Sequence, residues 1–368
     1  MKKIAICCQH SYPHVGGVET IVKLLSEFLF NEYSVDVDVY SCSNTQDFSY
    51  NNINYYKINT NFIDTLKNNR YNSIFIYGDC FKYLIDIVIH GNEIPGKKVI
   101  SLVGANQLYK DNRLLKLILD RKDKLHFVVH DYIDQDYDLC VKLNLPVSII
   151  ANGVNLHEFD SCNTIFKNKY SIRDNEKIIL CVANFFPGKG QEHFVKIINS
   201  VKDSFDNMLC KLVLISSSVN FKYVEFLSSK CEQQLKSNNI SHLFLKDIGR
   251  EDTIAAFNAA DAFVTPSVKE VAPVCLLEAM ASKTPWVAWP VGNVKSLKGG
   301  IVVPCMNKDA EGYLAPTDTE LRNFGKSIVD LIDNKDLYDK CLIDGYNVVN
   351  QRYNWSNIIK QYYKLFFD

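Results

Sequence analysis

The stretch Lys3-Ile-Ala-Ile-Cys-Cys8, with the residues that follow it, decides the fold of this chain. The apolar run at 3–8 is typical of a buried strand, and a polar loop with Pro13, Gly16 and Gly17 comes next. Apolar residues then recur at helical spacing, at Ile21, Leu24, Leu25, Phe28 and Leu29. A second strand is predicted at Val35–Tyr40. Strand, loop, helix and strand in this order predict a parallel sheet with helices on both faces.

This alternation continues along the chain and restarts after a polar stretch at 163–177. Further strands are predicted at 73–77, 98–103, 125–129, 147–151, 178–183, 212–215, 242–245, 262–265 and 286–288. Helices are predicted around 194–201, 254–260 and 274–282. The sequence therefore predicts an α/β fold with two Rossmann-like doubly wound domains, at 1–160 and 161–353. In such sheets ligands bind beyond the carboxyl ends of the strands, so a substrate cleft between the two domains is expected.

Composition narrows the classes of protein. The 368 residues carry 41 Lys and Arg against 42 Asp and Glu, a net charge of -1, so no nucleic-acid partner is expected. With 47% apolar residues the chain is expected to fold.

The 12 cysteines include no CxxC pair, and several lie inside apolar runs, as Cys7 and Cys181 do. A zinc site or a redox pair is therefore not predicted. The apolar run after the basic start is too short for a signal peptide. We expect a reducing, cytoplasmic location.

Two glycine-containing loops follow predicted strands. Gly16-Gly17 opens the first helix, where a tight turn and a phosphate-binding loop are both compatible with the sequence. In Pro187-Gly-Lys-Gly190, Lys189 lies at a helix N-terminus, which is unfavourable for the helix dipole unless an anion binds there. An exposed lysine in a turn is the other interpretation of this segment.

Two glutamates follow the strand predicted at 262–265. Glu270 lies in the loop after that strand, and Glu278 lies about one turn into an otherwise apolar helix. A buried carboxylate needs partners, and the hydroxyls of a ligand would supply them. A solvated stripe on that helix would also accommodate Glu278.

In this order and spacing, these segments resemble the family-four retaining glycosyltransferases of GT-B fold, which include glycogen synthase and mannosyltransferase relatives. The resemblance covers most of the chain. It also rests on Asn152-Gly153-Val154 with Phe159, and on Tyr353 with Trp355. It implies two domains that face each other across a cleft and close on the donor. It also implies a final helix, at about 354–368, that packs back on the first domain.

The resemblance also implies a donor site for a nucleotide diphosphate sugar. Gly16 and Gly17 would face the diphosphate and the reacting sugar, and Lys189 would neutralise the leaving group. Glu270 would orient the sugar, and Glu278 would bind the ribose diol. The backbone around Val274, between Pro273 and Cys275, would contact sugar or phosphate. Neither a metal nor a cofactor is expected.

Three positions depart from the family pattern. Asn184 stands where relatives usually have an arginine, and Arg250 is a candidate to compensate for it. The run Ser101–Asn106 lacks the histidine that many relatives carry near the sugar, so His130 or Asn106 is a candidate replacement. Pro273, in Val271-Ala-Pro273, offers no N–H group.

Two charged patterns outside these loops allow other interpretations. Asp36-Val-Asp38 matches a metal-binding DxD motif, but its alternation with valines is better explained as one polar face of a strand. The basic amphipathic segment 113–124 fits an anionic membrane surface and an ordinary packing helix equally well.

The resemblance thus implies a metal-independent retaining transferase that moves a hexose to a hydroxyl of a glycan or lipid-linked acceptor, in the cytoplasmic location expected above. The expected pathway is the synthesis of cell-surface polysaccharide or glycoconjugate. Peripheral attachment to a membrane through 113–124 and an ordinary packing helix there both remain open. A non-catalytic nucleotide-sugar-binding subunit that supports a partner transferase is the alternative. A sugar-nucleotide epimerase of the same shape explains Glu270 and Glu278 less well.

Overall fold

A computed structural model describes residues 2–14, 16–78, 81–102, 112–131, 135–160, 164–186, 188–217 and 222–368. The chain divides into two compact units. The first contains Met1–Gly153 and Tyr353–Asp368, and the second contains Val154–Arg352. The cysteines of the described residues form no disulfide.

The first unit is built on an eight-stranded sheet in the order β3-β4-β2-β1-β5-β6-β7-β8. Its strands are β1 (Lys3–Cys8), β2 (Asp36–Ser41), β3 (Phe48–Tyr50), β4 (Ile53–Lys57), β5 (Ser73–Tyr77), β6 (Lys97–Ser101), β7 (Leu125–Val129) and β8 (Val147–Ile149). All neighbours are parallel except β3 and β4. Its helices before the junction are α1 (Gly17–Tyr33), α2 (Phe62–Asn68), α3 (Phe81–Ile89), α4 (Asn112–Leu119) and α5 (Gln135–Lys142), with a 3-10 turn at Lys122–Lys124.

The second unit is built on a parallel six-stranded sheet in the order β11-β10-β9-β12-β13-β14. Its strands are β9 (Lys177–Val182), β10 (Cys210–Ser216), β11 (His242–Lys246), β12 (Ala262–Thr265), β13 (Trp286–Ala288) and β14 (Gly300–Val302). Its helices are α6 (Thr164–Lys169), α7 (Gln191–Asn199), α8 (Lys202–Asn207), α9 (Lys222–Ser237), α10 (Arg250–Ala259), α11 (Val274–Ala281), α12 (Asp318–Asp333) and α13 (Lys335–Val348). The 3-10 turns Leu156–Phe159 and Gly292–Ser296 complete it, and a π turn, Val349–Tyr353, leads out of it. The predicted α/β class with two doubly wound domains is confirmed.

The last helix, α14 (Trp355–Phe367), belongs to the first unit. Trp355 is fully buried there, and its ring centroid lies 5.9 Å from that of Phe28 on α1. A Cβ atom on Gly153 would lie 3.1 Å from the indole, so this glycine lets the ring pack directly on the backbone.

Several features differ from the sequence-based expectation, and β14, α12 and α13 are among the elements that were not predicted. The hairpin β3–β4 was not predicted, although Asn51 and Asn52 between its strands both have positive φ, the backbone that a two-residue hairpin turn requires. The boundary between the units lies at Gly153, before the predicted residue 160, because the turn Leu156–Phe159 packs on α10 in the second unit. Helix α10 starts at Arg250, since its polar first turn precedes the apolar run.

The aspartates of β2 have protein partners. Asp38 is buried and accepts a hydrogen bond from the Tyr71 hydroxyl at 2.6 Å, and its carboxylate lies 2.9 Å from Lys3 Nζ. Lys3 Nζ also lies 3.6 Å from Asp36. These contacts agree with the interpretation of Asp36 and Asp38 as one polar face of a strand.

None of the helices that the described residues form is both long and apolar enough to cross a lipid bilayer.

Candidate active site

The topological switch point of the second sheet brings two loops together. The chain runs outward from β9 to β10 and β11, then returns to β12 on the other side of β9. Lys189 lies in the loop after β9, and Glu270 lies in the loop after β12. Ligands of doubly wound sheets bind where such loops diverge at the carboxyl ends of the strands.

Lys189 and Glu270 form an ion pair in which Nζ lies 2.6 Å from Oε1. The Glu270 side chain is 12% exposed and that of Lys189 is 33% exposed, so both reach the edge of the site. Burial lowers the pKa of Lys189, but the charge of Glu270 outweighs it, and the pKa is raised above its ordinary value. Lys189 is therefore fully protonated near neutral pH.

Glycines allow these two loops to approach each other. Gly190 has a φ of +70°, and a Cβ atom there would lie 1.9 Å from the carbonyl oxygen of Pro266. The carbonyl oxygen of Gly188, whose φ is +91°, accepts hydrogen bonds from the backbone N–H groups of Val268 at 2.8 Å and Lys269 at 3.3 Å. Because only glycine fits at 190, the sequence here is dictated by the close contact between the loops.

Glu278 lies on α11 and is 7% exposed, so its carboxylate is buried rather than on a solvated stripe of the helix. Its Oε1 accepts a hydrogen bond from Nη1 of Arg250, the first residue of α10. Glu158 binds the same guanidinium through its Oε2, 2.7 Å from Nη2 and 3.1 Å from Nε. Burial lowers the pKa of Arg250, and the two carboxylates raise it by more, so it lies above its ordinary value.

Arg250 is the candidate to compensate for Asn184 at the donor phosphate, and two carboxylates bind its guanidinium in this structure. Glu158 was not singled out from the sequence. It lies 92 positions before Arg250, and no local pattern marks such a pairing.

Asn184 ties together the carboxyl ends of β9 and β10. Its Oδ1 accepts hydrogen bonds from Ser217 N at 3.0 Å and from Ser217 Oγ at 2.6 Å. Gln191 on α7 donates to the carbonyl oxygen of Asn184 at 3.0 Å. The side chain at position 184 is thus neutral, and its amide oxygen already accepts two hydrogen bonds from Ser217.

Helix α11 begins after Pro273, and Val274 and Cys275 are its first two residues. The N–H groups of its first turn have no acceptor within the helix, and Pro273 before it has no N–H group. Burial and then the charge of Glu270 raise the pKa of the Cys275 thiol to about 12, against an opposing effect of Lys189. Cys275 is therefore a neutral thiol beside the ion pair at neutral pH.

In the first unit, the predicted glycine loop lies between β1 and α1. Gly16 precedes the helix in extended backbone, and a Cβ atom there would lie 2.3 Å from Glu19 Oε2. Gly17, the first residue of α1, has open space within 4 Å of its Cβ position. Gly17 is therefore exposed at the start of α1, and the Glu19 carboxylate lies beside Gly16.

His130 lies in a buried polar cluster at the carboxyl ends of β5 to β8. Its Nδ1 lies 3.0 Å from Ile150 O, and its Nε2 lies 3.3 Å from Ser101 Oγ and 3.4 Å from Tyr77 Oη. Burial lowers the pKa of His130, against the hydrogen bond to Ile150, so the ring is neutral. The other candidate replacement, Asn106, lies outside the described residues.

The segment 113–124 packs its apolar side inward. Leu114 and Ile118 belong to the core of the first unit, while Arg113, Lys116 and Lys124 are exposed. Leu119 is 37% exposed. The segment thus includes most of α4 and a 3-10 turn, and its outer face carries these basic residues together with the exposed Asp120 and Asp123.

Comparison with solved structures places this fold in one class, that of two-domain α/β proteins with GT-B fold. Sucrose-phosphate synthase from Thermosynechococcus elongatus has a TM-score of 0.77 at 17% identity, over 99% of this chain and 98% of that one. The Anabaena protein HepE, in complex with UDP and glucose, has a TM-score of 0.75 at 13% identity, over 99% of both chains.

The family model of the glycosyl transferases group 1 matches residues 163–347, within the second unit. The chain therefore belongs to this family. An uncharacterized glycosyltransferase of Methanocaldococcus jannaschii is 28% identical over 237 residues, which span 61% of this chain and 55% of that relative.

Proposed function

We propose that the protein is a retaining glycosyltransferase that moves a hexose from a nucleoside diphosphate sugar to a hydroxyl of a glycan or lipid-linked acceptor. The observation that carries this proposal is the Lys189–Glu270 ion pair at the switch point of the second sheet, beside the start of α11. A cation and the N–H groups of a helix start form a suitable environment for phosphate, and a carboxylate is a suitable acceptor for sugar hydroxyls. Membership of the glycosyl transferases group 1 supports the same activity.

The proposed reaction takes place on one face of the sugar. The bond between the anomeric carbon and the phosphate oxygen breaks, and a bond to the acceptor oxygen forms on the same face. The acceptor proton passes to the departing phosphate oxygen, so no protein nucleophile is needed. Lys189 stabilises the negative charge that develops on the leaving group, and Glu270 holds the sugar through its second carboxylate oxygen.

Glu278 is proposed to bind the ribose of the donor. Arg250 takes one of its carboxylate oxygens, which leaves the other to accept hydrogen bonds from the diol. Since the guanidinium is shared with Glu158, the group of three keeps a net charge of -1 and Glu278 retains its capacity as an acceptor.

Donor identity is tested by thermal unfolding with UDP-, GDP- and ADP-sugars. A ligand present at about 100 times its Kd stabilises the folded protein by about 2.7 kcal/mol. UDP-glucose comes first in the screen, because the similar HepE structure holds UDP and glucose. A protein that none of these donors stabilises would contradict the proposal.

Turnover is tested with Lys189→Met and Glu270→Gln, which remove one charge each and keep the side-chain size. We expect each to lower turnover about 100-fold or more, because both groups act on the reacting centre. Addition of EDTA should leave the rate unchanged, since Lys189 and the start of α11 take the role of a metal ion. An NMR spectrum of the first product should show the anomeric configuration of the donor.

A non-catalytic nucleotide-sugar-binding subunit is the alternative, and the neutral Asn184 favours it because a second cation is missing at that position. The two functions differ in donor hydrolysis without an acceptor. A transferase releases free sugar slowly, and this release should disappear in Lys189→Met. A binding subunit is stabilised by the donor and releases no sugar.

We further propose that the basic face of 113–124 attaches the protein to an anionic membrane surface. Sedimentation with vesicles of phosphatidylglycerol and of phosphatidylcholine tests this. Replacing Arg113 and Lys116 by glutamine should reduce binding to the anionic vesicles only. Equal sedimentation of both proteins with both vesicle types would contradict the proposal.

A further inference from the structure

The charged groups at the carboxyl edge of the second sheet are largely paired with one another. Lys189 is bound to Glu270, and Arg250 is bound to Glu158 and Glu278. A donor diphosphate brings at least two negative charges into this edge, and Asn184 contributes no charge against them. A cation that is not paired with a carboxylate would offset this added negative charge more than a paired one does.

Lys269 is such a cation. Its side chain is exposed, and within the described residues its Nζ has no carboxylate partner. The ammonium group lies 4.4 Å from the ring centroid of Tyr313. A cation over an aromatic face is held in place while its full charge remains available to an anion.

The backbone of Lys269 is fixed against the residue that precedes Lys189. Its N–H group donates to Gly188 O at 3.3 Å, and its Cβ lies 3.6 Å from the position of a Cβ atom on Gly188. Lys269 also directly precedes Glu270. Lys189 in the loop after β9, and Lys269 and Glu270 in the loop after β12, therefore lie in two loops that contact each other.

Tyr313 is itself held rigidly. Its N–H group donates to Asp309 Oδ1 at 2.9 Å, and its carbonyl oxygen accepts from Asp309 N at 2.9 Å. The next residue, Leu314, donates its N–H to Val268 O at 3.1 Å. A Cβ atom on Gly188 would lie 2.9 Å from Tyr313 Cε1, so the ring rests directly on this glycine.

We propose that Lys269, positioned by Tyr313, binds the β-phosphate of the donor and supplies the second positive charge that Asn184 lacks. This inference rests on the proposed function. The β-phosphate is the one that carries the sugar, and Lys269 adjoins Glu270, the residue proposed to hold that sugar. Lys269 thus acts on the diphosphate together with Lys189, from the neighbouring loop.

Calorimetric titration of Lys269→Met with UDP, GDP and ADP, and with their nucleoside monophosphates, tests this assignment. We expect the variant to bind the preferred diphosphate about 10-fold more weakly, which corresponds to about 1.4 kcal/mol. The monophosphate lacks the β-phosphate, so its Kd should change less than about 3-fold. Lys269→Arg and Tyr313→Phe should stay near wild type, and Tyr313→Leu should weaken diphosphate binding.

The matched control is Lys283→Met. Lys283 is also exposed, and its Nζ lies 4.8 Å from the ring centroid of Tyr346, but it follows the C-terminal end of α11, away from the proposed site. This variant should bind both nucleotides as the wild type does. Thermal unfolding of every variant checks that the fold is retained.

Two results would overturn the role of Lys269: unchanged diphosphate affinity in Lys269→Met, or equal losses for diphosphate and monophosphate. If the wild-type protein binds no nucleotide, the proposed function fails and the role of Lys269 fails with it. Binding by the wild type with no effect of Lys269→Met overturns the role of Lys269 alone.

Discussion

The guanidinium of Arg250 forms ion pairs with two carboxylates, those of Glu158 and Glu278. Replacing it by methionine leaves Glu158 and Glu278 without a counter-ion. Removal of one partner from a buried ion pair costs about 3–5 kcal/mol, and the 30% exposure of Arg250 favours the lower end of this range. We expect Arg250→Met to lower the free energy of unfolding by about 3 kcal/mol in urea titrations.

The control for this prediction is Glu158→Gln, which keeps the contact between Arg250 and Glu278 and should cost about 1 kcal/mol. An Arg250→Met protein as stable as the wild type would show that the guanidinium is not the counter-ion of these carboxylates.

Gly190 allows a separate prediction, because its backbone conformation and its surroundings both exclude a side chain. Gly190→Ala places a methyl group 1.9 Å from the Pro266 carbonyl oxygen in a backbone with positive φ. The two loops must separate, and donor affinity should fall with stability. Gly312→Ala is the matched control, since its φ is +82° and nothing lies within 4 Å of its Cβ position.

Gly312→Ala should cost about 1 kcal/mol from backbone strain alone and leave donor affinity unchanged. We expect Gly190→Ala to cost clearly more, as measured by urea unfolding and donor titration. Equal effects of the two substitutions would mean that contact with Pro266 is unimportant.

At the scale of secondary-structure elements, His130 joins the carboxyl ends of four strands in the first sheet. Burial lowers its pKa in the folded protein, whereas the unfolded chain takes up a proton at about pH 6.5. Below that pH the unfolded state binds more protons than the folded state. The contribution to stability is therefore complete above about pH 6.5 and is lost as the pH falls below it.

His130→Asn should reduce this pH dependence. We expect the slope of unfolding free energy between pH 6.5 and pH 5 to decrease by up to about 1.4 kcal/mol per pH unit. His157→Asn is the control, since the His157 side chain is 87% exposed. A slope that His130→Asn leaves unchanged would show that this ring is protonated in the folded protein too.

The elements also show what the sequence could and could not predict. Strands such as Ser73–Tyr77 were predicted to the residue, because a buried parallel strand is a continuous apolar run. The family resemblance assigned Lys189 and Glu270 to one donor site, and their loops lie together because both follow strands of one parallel sheet. The partners of Arg250 and Lys269 were not predicted. Ion pairs and cation–aromatic contacts between residues far apart in the sequence leave no periodic pattern in it.

At the scale of the whole molecule, the chain begins and ends in the same unit. Helix α14 packs on α1, and the Phe366 ring centroid lies 5.1 Å from that of Phe75 on β5. Ser73 Oγ donates to the carbonyl oxygen of Phe366, and Lys97 Nζ donates to that of Leu365 at 2.6 Å. The last residues of the chain thus complete the core of its first unit.

Trp355→Ala tests whether α14 stabilises the core of the first unit. The indole is fully buried, so truncation creates a cavity and should cost about 3–5 kcal/mol. The loss should fall on the first unit, and hydrogen exchange should therefore accelerate in β5 while β9 of the second unit stays protected. Ile343→Ala, at a side chain 54% exposed on α13, should change stability by less than about 0.5 kcal/mol. Equal acceleration in β5 and β9 would instead mean that α14 stabilises both units, and that the two cores unfold as one.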